Sequence, residues 1–174
     1  FSAFDVEHGR ELWRTDGTSA GTVLVKDFRT GVASSDFGSF GPIGNRLFFT
    51  ATDNSHGLEP WSSDGTTAGT QLLADINPTT SSGGNSYPPY FYVPDDGSRA
   101  FLPPFDGVER DLWSTNGTAA GTAKVLSINT GDDDYVPIKV LGTKFYYRKT
   151  ISSQTHLYVA DSTTSATTQL KLLN

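Results

Sequence analysis

Four oxygen-bearing side chains recur at one fixed offset in this sequence. Asp16, Asp64, Asn116 and Asp161 each stand three residues after an aromatic, namely Trp13, Trp61, Trp113 and Tyr158. In the first three copies a glycine follows at once: Gly17, Gly65 and Gly117. Carboxylates presented this way could bind calcium, which gathers several hard oxygen ligands. One acidic side chain per turn is too few unless backbone carbonyls assist. The same side chain can instead accept hydrogen bonds from the amides of its own turn, and that local role is the stronger reading. The three indoles could form a stacking platform for sugar rings. A repeated aromatic on a strand more often packs between sheets, so each is read as a structural anchor.

Other chemistry-bearing residues are thinly spread. Asp132, Asp133 and Asp134 form an acidic run, and Asp95-Asp96-Gly97 a shorter one. Both could touch calcium or a mineral surface, against a default of solvated loop. His8 and His56 hold equivalent places before a glycine, and His156 lies near the last anchor. Two histidines on different repeat units stand too far apart to share a metal. Glu11, Glu59 and Asp111 also recur once per unit. A reaction centre needs distinct groups converging on one point, so residues that repeat with the unit speak for a scaffold. The common nucleotide, serine-hydrolase and metalloprotease patterns are absent. Glycosidase carboxylates are not singled out by any pair. Asn116-Gly117-Thr118 is a glycosylation sequon, whereas Asn77-Pro78-Thr79 is blocked by proline. In a secreted eukaryotic protein Asn116 is equally a glycan site or a plain turn residue.

The elements that position these residues follow from the repeat. The anchors lie 48, 52 and 45 residues apart, a period that belongs to stacked or radial supersecondary units. Before each turn stands a short strand-forming run; after it come Val23–Phe28, Gln71–Ile76 and Ala123–Ile128. The connecting Asp-Gly-Thr-x-x-Gly-Thr predicts a hairpin loop of about six residues, closed by its own hydroxyls. Upstream strands are predicted at Leu47–Ala51, Ala100–Leu102 and Lys144–Arg148, with weaker ones at Phe40–Ile43, Tyr90–Val93 and Val136–Val140. Four antiparallel strands per period make the blade of a β-propeller. The expected fold is therefore all-β: a propeller-like array of about three and a half blades in an incomplete ring. Residues 1–28 are read as a partial blade, 29–76 and 77–128 as blades, and 129–174 as a degenerate one, within a single repeat region. The start in mid-blade and the absence of methionine predict a piece of a longer chain, or one completed by a partner.

Composition narrows the function. A net charge of -6 disfavours nucleic acid, whose phosphates need clustered Lys and Arg, and disfavours an anionic membrane surface. No apolar run is long enough for a membrane-spanning helix. With no cysteine, disulfides and thiolate metal sites are excluded.

The segment Glu11-Leu12-Trp13-x-x-Asp16-Gly17-Thr18-x-x-Gly21-Thr22, with His8-Gly9 before it and Val25-Lys26-Asp27-Phe28 after it, resembles the ELWxxDGT repeat of large secreted or surface-attached proteins. The second copy has Pro60 for leucine, the third Asp111 and Asn116 for Glu and Asp, and the fourth keeps only Leu157 and Asp161. The resemblance implies propeller-like architecture and an extracellular or cell-surface setting, and no catalytic residue. The expected function is a non-enzymatic structural or adhesive module that assembles with protein partners or copies of itself through blade edges. The alternative is a glycan-binding module using Tyr87–Tyr92; a hydrolase is the weakest reading. No cofactor is expected, with calcium the open alternative.

Overall fold

The computed structural model describes residues 1–78, 91–102, 110–128 and 135–173. Every regular element among them is a strand. The first sheet holds β1 (Ser2–Asp5), β2 (Gly9–Arg14) and β3 (Val23–Lys26); the second holds β4 (Phe37–Ile43), β5 (Arg46–Ala51), β6 (Glu59–Ser63) and β7 (Gln71–Leu72). The third holds β8 (Ala100–Leu102), β9 (Arg110–Thr115) and β10 (Ala123–Ile128); the fourth holds β11 (Tyr135–Leu141), β12 (Lys144–Ile151), β13 (Gln154–Asp161) and β14 (Ala166–Leu173). Each sheet is an open antiparallel meander in chain order. The molecule is thus an all-β, propeller-like array of four blades.

Several strands depart from the sequence expectation. The expected fourth strand of the third blade is reduced to one bridge between Tyr92 and Phe101; Tyr90 lies outside the described residues. The strand expected at Gln71–Ile76 ends at Leu72, and that at Val23–Phe28 ends at Lys26. In the first blade buried Glu11 takes the Phe28 amide; in the second Leu73 N still donates to the Pro60 carbonyl, and buried Glu59 takes the Ile76 amide. The hairpin loops leave seven or eight residues unpaired, 64–70, 116–122 and 15–22, rather than six. Thr15 and Thr22 bond each other across the base of the first loop, as Thr115 and Thr122 do at the third.

Alternation along the strands builds three cores between neighbouring blades. Leu12, Val25 and Phe28 of the first blade pack on Phe49, Ala51 and Trp61 of the second. Ile43, Phe48 and Leu73 of the second pack on Ala100 and Leu102 of the third, with Trp113 beside them. Phe101, Leu112 and Val125 of the third pack on Phe145, Tyr147 and Ala160 of the fourth, with Tyr158 beside them. In blades two, three and four the anchor aromatic therefore faces the preceding blade, and the residue before it in blades one and three faces the following one.

A bulge makes the following-blade face. Pairing shifts between Leu12 and Trp13, between Lys124 and Leu126, and between Leu157 and Tyr158. The extra residues are Val25, Val125 and Leu170, with Leu73 in the matching place of the second blade. A bulge leaves its extra residue out of the ladder and turns the strand. Val25, Leu73 and Val125 are buried, at 4%, 4% and 6% exposure.

Candidate functional site

The recurrent carboxylates are consumed by their own turns. Asp64 Oδ1 accepts from the Thr66 amide at 2.9 Å and the Thr66 hydroxyl at 2.7 Å. Thr66 Oγ1 in turn accepts from Gly69 N, and Thr70 Oγ1 donates to the Thr66 carbonyl and pairs with Ser63 Oγ. Asp16 and Asn116 make the same bonds. Gly65 sits at φ 88°, where an L side chain is disfavoured. At Gly69 a Cβ would lie 2.0 Å from the Asp64 carboxylate, so glycine is required for the acid to lie over the loop. The hydroxyl and amide of Thr18, Thr66 and Thr163 hold Asp16, Asp64 and Asp161 below the usual carboxylate range. Asp161 keeps its two Thr163 bonds, but its loop has no glycine and carries Ser165 at φ 54°.

Glu11 and Glu59 tie the blades together. Glu11 is fully buried and accepts from Phe28 N at 2.9 Å, Ser35 Oγ at 3.0 Å and Arg29 N at 3.3 Å. Glu59 accepts from Ile76 N and Asn77 N in the same way. Each thus holds the chain where it leaves one blade for the next. Burial pushes the Glu11 carboxyl up, against the pull of those hydrogen bonds. Asp111, one methylene shorter, pairs with Lys124 Nζ at 3.0 Å. His8 and His56 are bound to Asp5 and Asp53 three residues earlier, with Nδ1 at 2.9 Å from a carboxylate oxygen in each. The Asp-x-x-His spacing was visible in both copies and is a turn device.

An arginine sits under the next blade's turn at each junction, a feature the repeat did not advertise. Arg14 carbons approach Gly65, and Arg46 carbons approach Gly117. Arg46 also donates to Ser62 Oγ and to the Gly69 carbonyl, while Ser62 Oγ donates to the Gly117 carbonyl at 2.6 Å. Arg99 Nη1 bridges Ser114 Oγ at 3.0 Å and Ser162 Oγ at 2.8 Å. Turns two and three, and the fourth-blade loop, therefore rest on the blade before them. Around Gly17 of the first turn, no atom of the described residues beyond its two chain neighbours lies within 4 Å of a Cβ position.

The indoles share a register but not an environment. Trp61 is 5% exposed, donates Nε1 to the Ala51 carbonyl at 3.2 Å and packs edge-on to Phe28 at 4.8 Å. Lys26 lies over both rings. Trp113 is half-buried and its Nε1 has no partner among the described residues. Trp13 is also half-buried, with no partner for its Nε1 among the described residues, and lies beside Phe1 at 50% exposure. Phe1, Trp13 and Arg14 reach a cleft of about 260 Å³ whose other walls include Val25, Leu47 and Gly65.

No family model matches the chain, and no curated protein matches it. Among solved structures, a crystal structure described as a nidogen/laminin complex is similar, with TM-score 0.44 and 6% identity. The match covers 99% of this chain and 61% of that one, so this chain spans less than two thirds of that chain's length.

The remaining candidates divide cleanly. Asp132, Asp133 and Asp134 lie outside the described residues, as do Tyr87 and Tyr90 of the glycan reading. Phe91 and Tyr92 pack against Phe48 and Phe145 between blades, so they do not form an open sugar platform. Asp96 accepts from the Ser98 amide and hydroxyl. Among the described residues, no three His, Asp or Glu side chains gather as a metal site. Asn116 is exposed, with Oδ1 engaged by Thr118. On the first blade Phe1, Trp13 and Leu24 stand in the places of Phe49, Trp61 and Leu72; Phe1 is 50% exposed and the other two are half-buried.

Proposed function

We propose that this chain is a non-catalytic structural or adhesive repeat module, working outside the cell, that joins protein partners through the end faces of its blade array. One observation carries the reading. The apolar set that the second blade buries against the first is repeated on the first blade, with Phe1 50% exposed and Trp13 and Leu24 half-buried. An aromatic patch of this kind is what interfaces enrich in. The recurrent acids support it, since the described ones are spent on turns and blade links and do not converge on a reacting atom. The resemblance to the ELWxxDGT repeat supports the extracellular setting.

Retention of protein on immobilised chain tests the function. Binding of purified surface or matrix proteins is expected to be lost in Trp13→Glu and unchanged by added free sugars. Elution by mono- or oligosaccharides would favour the glycan-binding alternative. Hydrolysis of a glycoside panel that disappears in a described-acid variant such as Glu11→Gln would overturn the non-catalytic reading.

A further inference from the structure

Asn116-Gly117 is the one Asn-Gly pair in the sequence. A glycine amide nitrogen, with no Cβ beside it, can swing onto the side-chain carbonyl carbon of the preceding residue. Asparagine before glycine is for that reason among the thermolabile links of a chain. Asn116 is exposed, so water reaches its carboxamide.

Several attachments in the native turn oppose that ring closure. The Thr118 amide and hydroxyl donate to Asn116 Oδ1 at 3.1 and 2.7 Å. The Gly117 amide donates to Thr115 Oγ1 at 3.0 Å, and Thr115 Oγ1 pairs with Thr122 Oγ1 at 2.6 Å. The Gly117 carbonyl accepts from Ser62 Oγ of the second blade at 2.6 Å, and a Cβ at Gly117 would lie 3.5 Å from Arg46 Cδ of the same blade. Gly117 is buried, whereas Gly17 is exposed and Gly65 half-buried. Attack on Asn116 Cγ requires the glycine nitrogen to leave Thr115 and the carboxamide to leave Thr118. The second blade sits against the residue that must move.

The sister turns show what the product meets. Asp16 and Asp64 occupy the same place and accept the same bonds from Thr18 and Thr66. An aspartate at position 116 therefore fits the turn as it stands. The Asp-Gly turns do not share the reactivity. Thr18 and Thr66 hold those carboxyls below the usual range, so they are ionised at neutral pH, and a carboxylate carbon resists a nucleophile.

We infer that Asn116 is a site of covalent modification, deamidation to aspartate through a cyclic imide with Gly117, which the native third turn holds shut and which opening of the junction between the second and third blades releases. Gly117 N forms a bond to Asn116 Cγ and the Cγ–Nδ2 bond breaks; the proton of the glycine nitrogen leaves with Nδ2 as ammonia. Water then opens the imide. Cleavage between Cγ and the glycine nitrogen gives aspartate; cleavage at the backbone carbonyl gives isoaspartate, in which the chain runs through Cβ and Cγ. One water is consumed and one ammonia released, and the net charge moves from -6 to -7. The site stands apart from the adhesive reading. Residue 116 records how often this junction has opened, in the way that any reaction gated by local unfolding does.

Peptide mapping by mass spectrometry tests it, with the 174-residue chain incubated at neutral pH both folded and in urea. The readout is conversion of Asn116 to aspartate and isoaspartate. The unfolded chain is expected to convert about tenfold faster than the folded one, or more. Thr118→Val, an exposed change that takes the hydroxyl from Asn116 Oδ1, is expected to raise the folded rate several-fold, and Thr118→Ser to leave it as in the wild type. Ser62→Ala, which frees the Gly117 carbonyl from the second blade, is expected to raise it as well. Asn116→Asp is expected to keep the wild-type denaturant midpoint at neutral pH. If a variant fails to fold, the folded and urea-unfolded wild type still decide between the outcomes. An Asn116 that persists in urea, equal rates in the folded and unfolded chain, or folded Thr118→Val and Ser62→Ala variants no faster than wild type would overturn the inference.

Discussion

Trp61 and Trp13 occupy the same position of the same motif, and only one of them is core. Both precede an Asp-Gly turn, both sit on the middle strand of a meander, and both face the preceding side of their blade. Trp61 finds Phe28, Val25 and Leu12 there and is 5% exposed. Trp13 is half-buried, beside Phe1 in a cleft it shares with Leu47 and Gly65. The strand, turn and register are written into the twelve-residue unit, whereas burial is a property of the neighbour. A repeat of this kind is half of an interface on each side, and its energy is collected only when a second unit is laid against it.

The difference can be broken most directly by truncating both indoles. Trp61→Ala is expected to cost about 3–5 kcal/mol in urea unfolding, the range for a buried tryptophan. Trp13→Ala is expected to cost less than half as much; equal losses would mean that the two faces are covered alike.

Glu11→Gln attacks the same junction from its other side. The amide NH₂ puts a donor where Phe28 N or Arg29 N needs an acceptor, at a cost of about 1–3 kcal/mol. Phe28 should loosen from the Trp61 ring, and indole fluorescence should shift to the red. Unchanged stability and emission would show that the carboxylate does not hold the link.

The glycines sharpen the comparison at the turns. A Cβ at Gly69 or Gly21 meets its Asp carboxylate at 2.0 or 1.9 Å. Yet the second turn also seats Thr67 Oγ1 on the Val25 carbonyl at 2.7 Å, while the first turn has no blade beneath it. Gly69→Ala is therefore expected to cost about 1–3 kcal/mol, as overpacking does, and more than Gly21→Ala. In an Asp64→Ala background the Gly69→Ala cost should shrink, which a double-mutant cycle reads directly.

The smallest effect is in pH. Asp16, Asp64 and Asp161 are lowered in the folded chain, so their contribution is complete above the unfolded carboxylate pKa near 3.8. It is lost as pH falls through the lowered folded values. Glu11 is raised and runs the other way: its contribution is present below the unfolded value near 4.5 and is lost as pH rises through the folded one. Asp64→Asn, which copies the native Asn116 turn, should flatten the acid limb while leaving neutral stability close to wild type. Glu11→Gln should remove the opposing slope. Denaturant midpoints between pH 3 and 7 check both.

The meander was legible because strand and turn signals are local. Asp-Gly-Thr-x-x-Gly-Thr carries the positive-φ glycine, the Asx acceptor and the hydroxyl clasp within one loop, all from neighbours in the chain. The strand lengths of β3 and β7 were not legible. Beyond their ends Glu11 and Glu59 reach amides 17 residues away in sequence, and no local propensity records a side chain folding back that far. The arginines under the turns were hidden for the same reason. Arg14, Arg46 and Arg99 occupy no single place in the motif; they share only a place in space, and Arg99 reaches Ser162 across 63 residues.

The amino-acid sequence by itself determined the unit: its strands, its reversal and which residue points to which side, because pleat and turn chemistry act over a few bonds. Only the tertiary structure decided which of the repeated aromatics are core and which are surface. Burial depends on what is packed opposite, and in this chain the covering atoms for Trp61 come from the preceding blade, while Trp13 is only half-buried and Leu170 is 48% exposed.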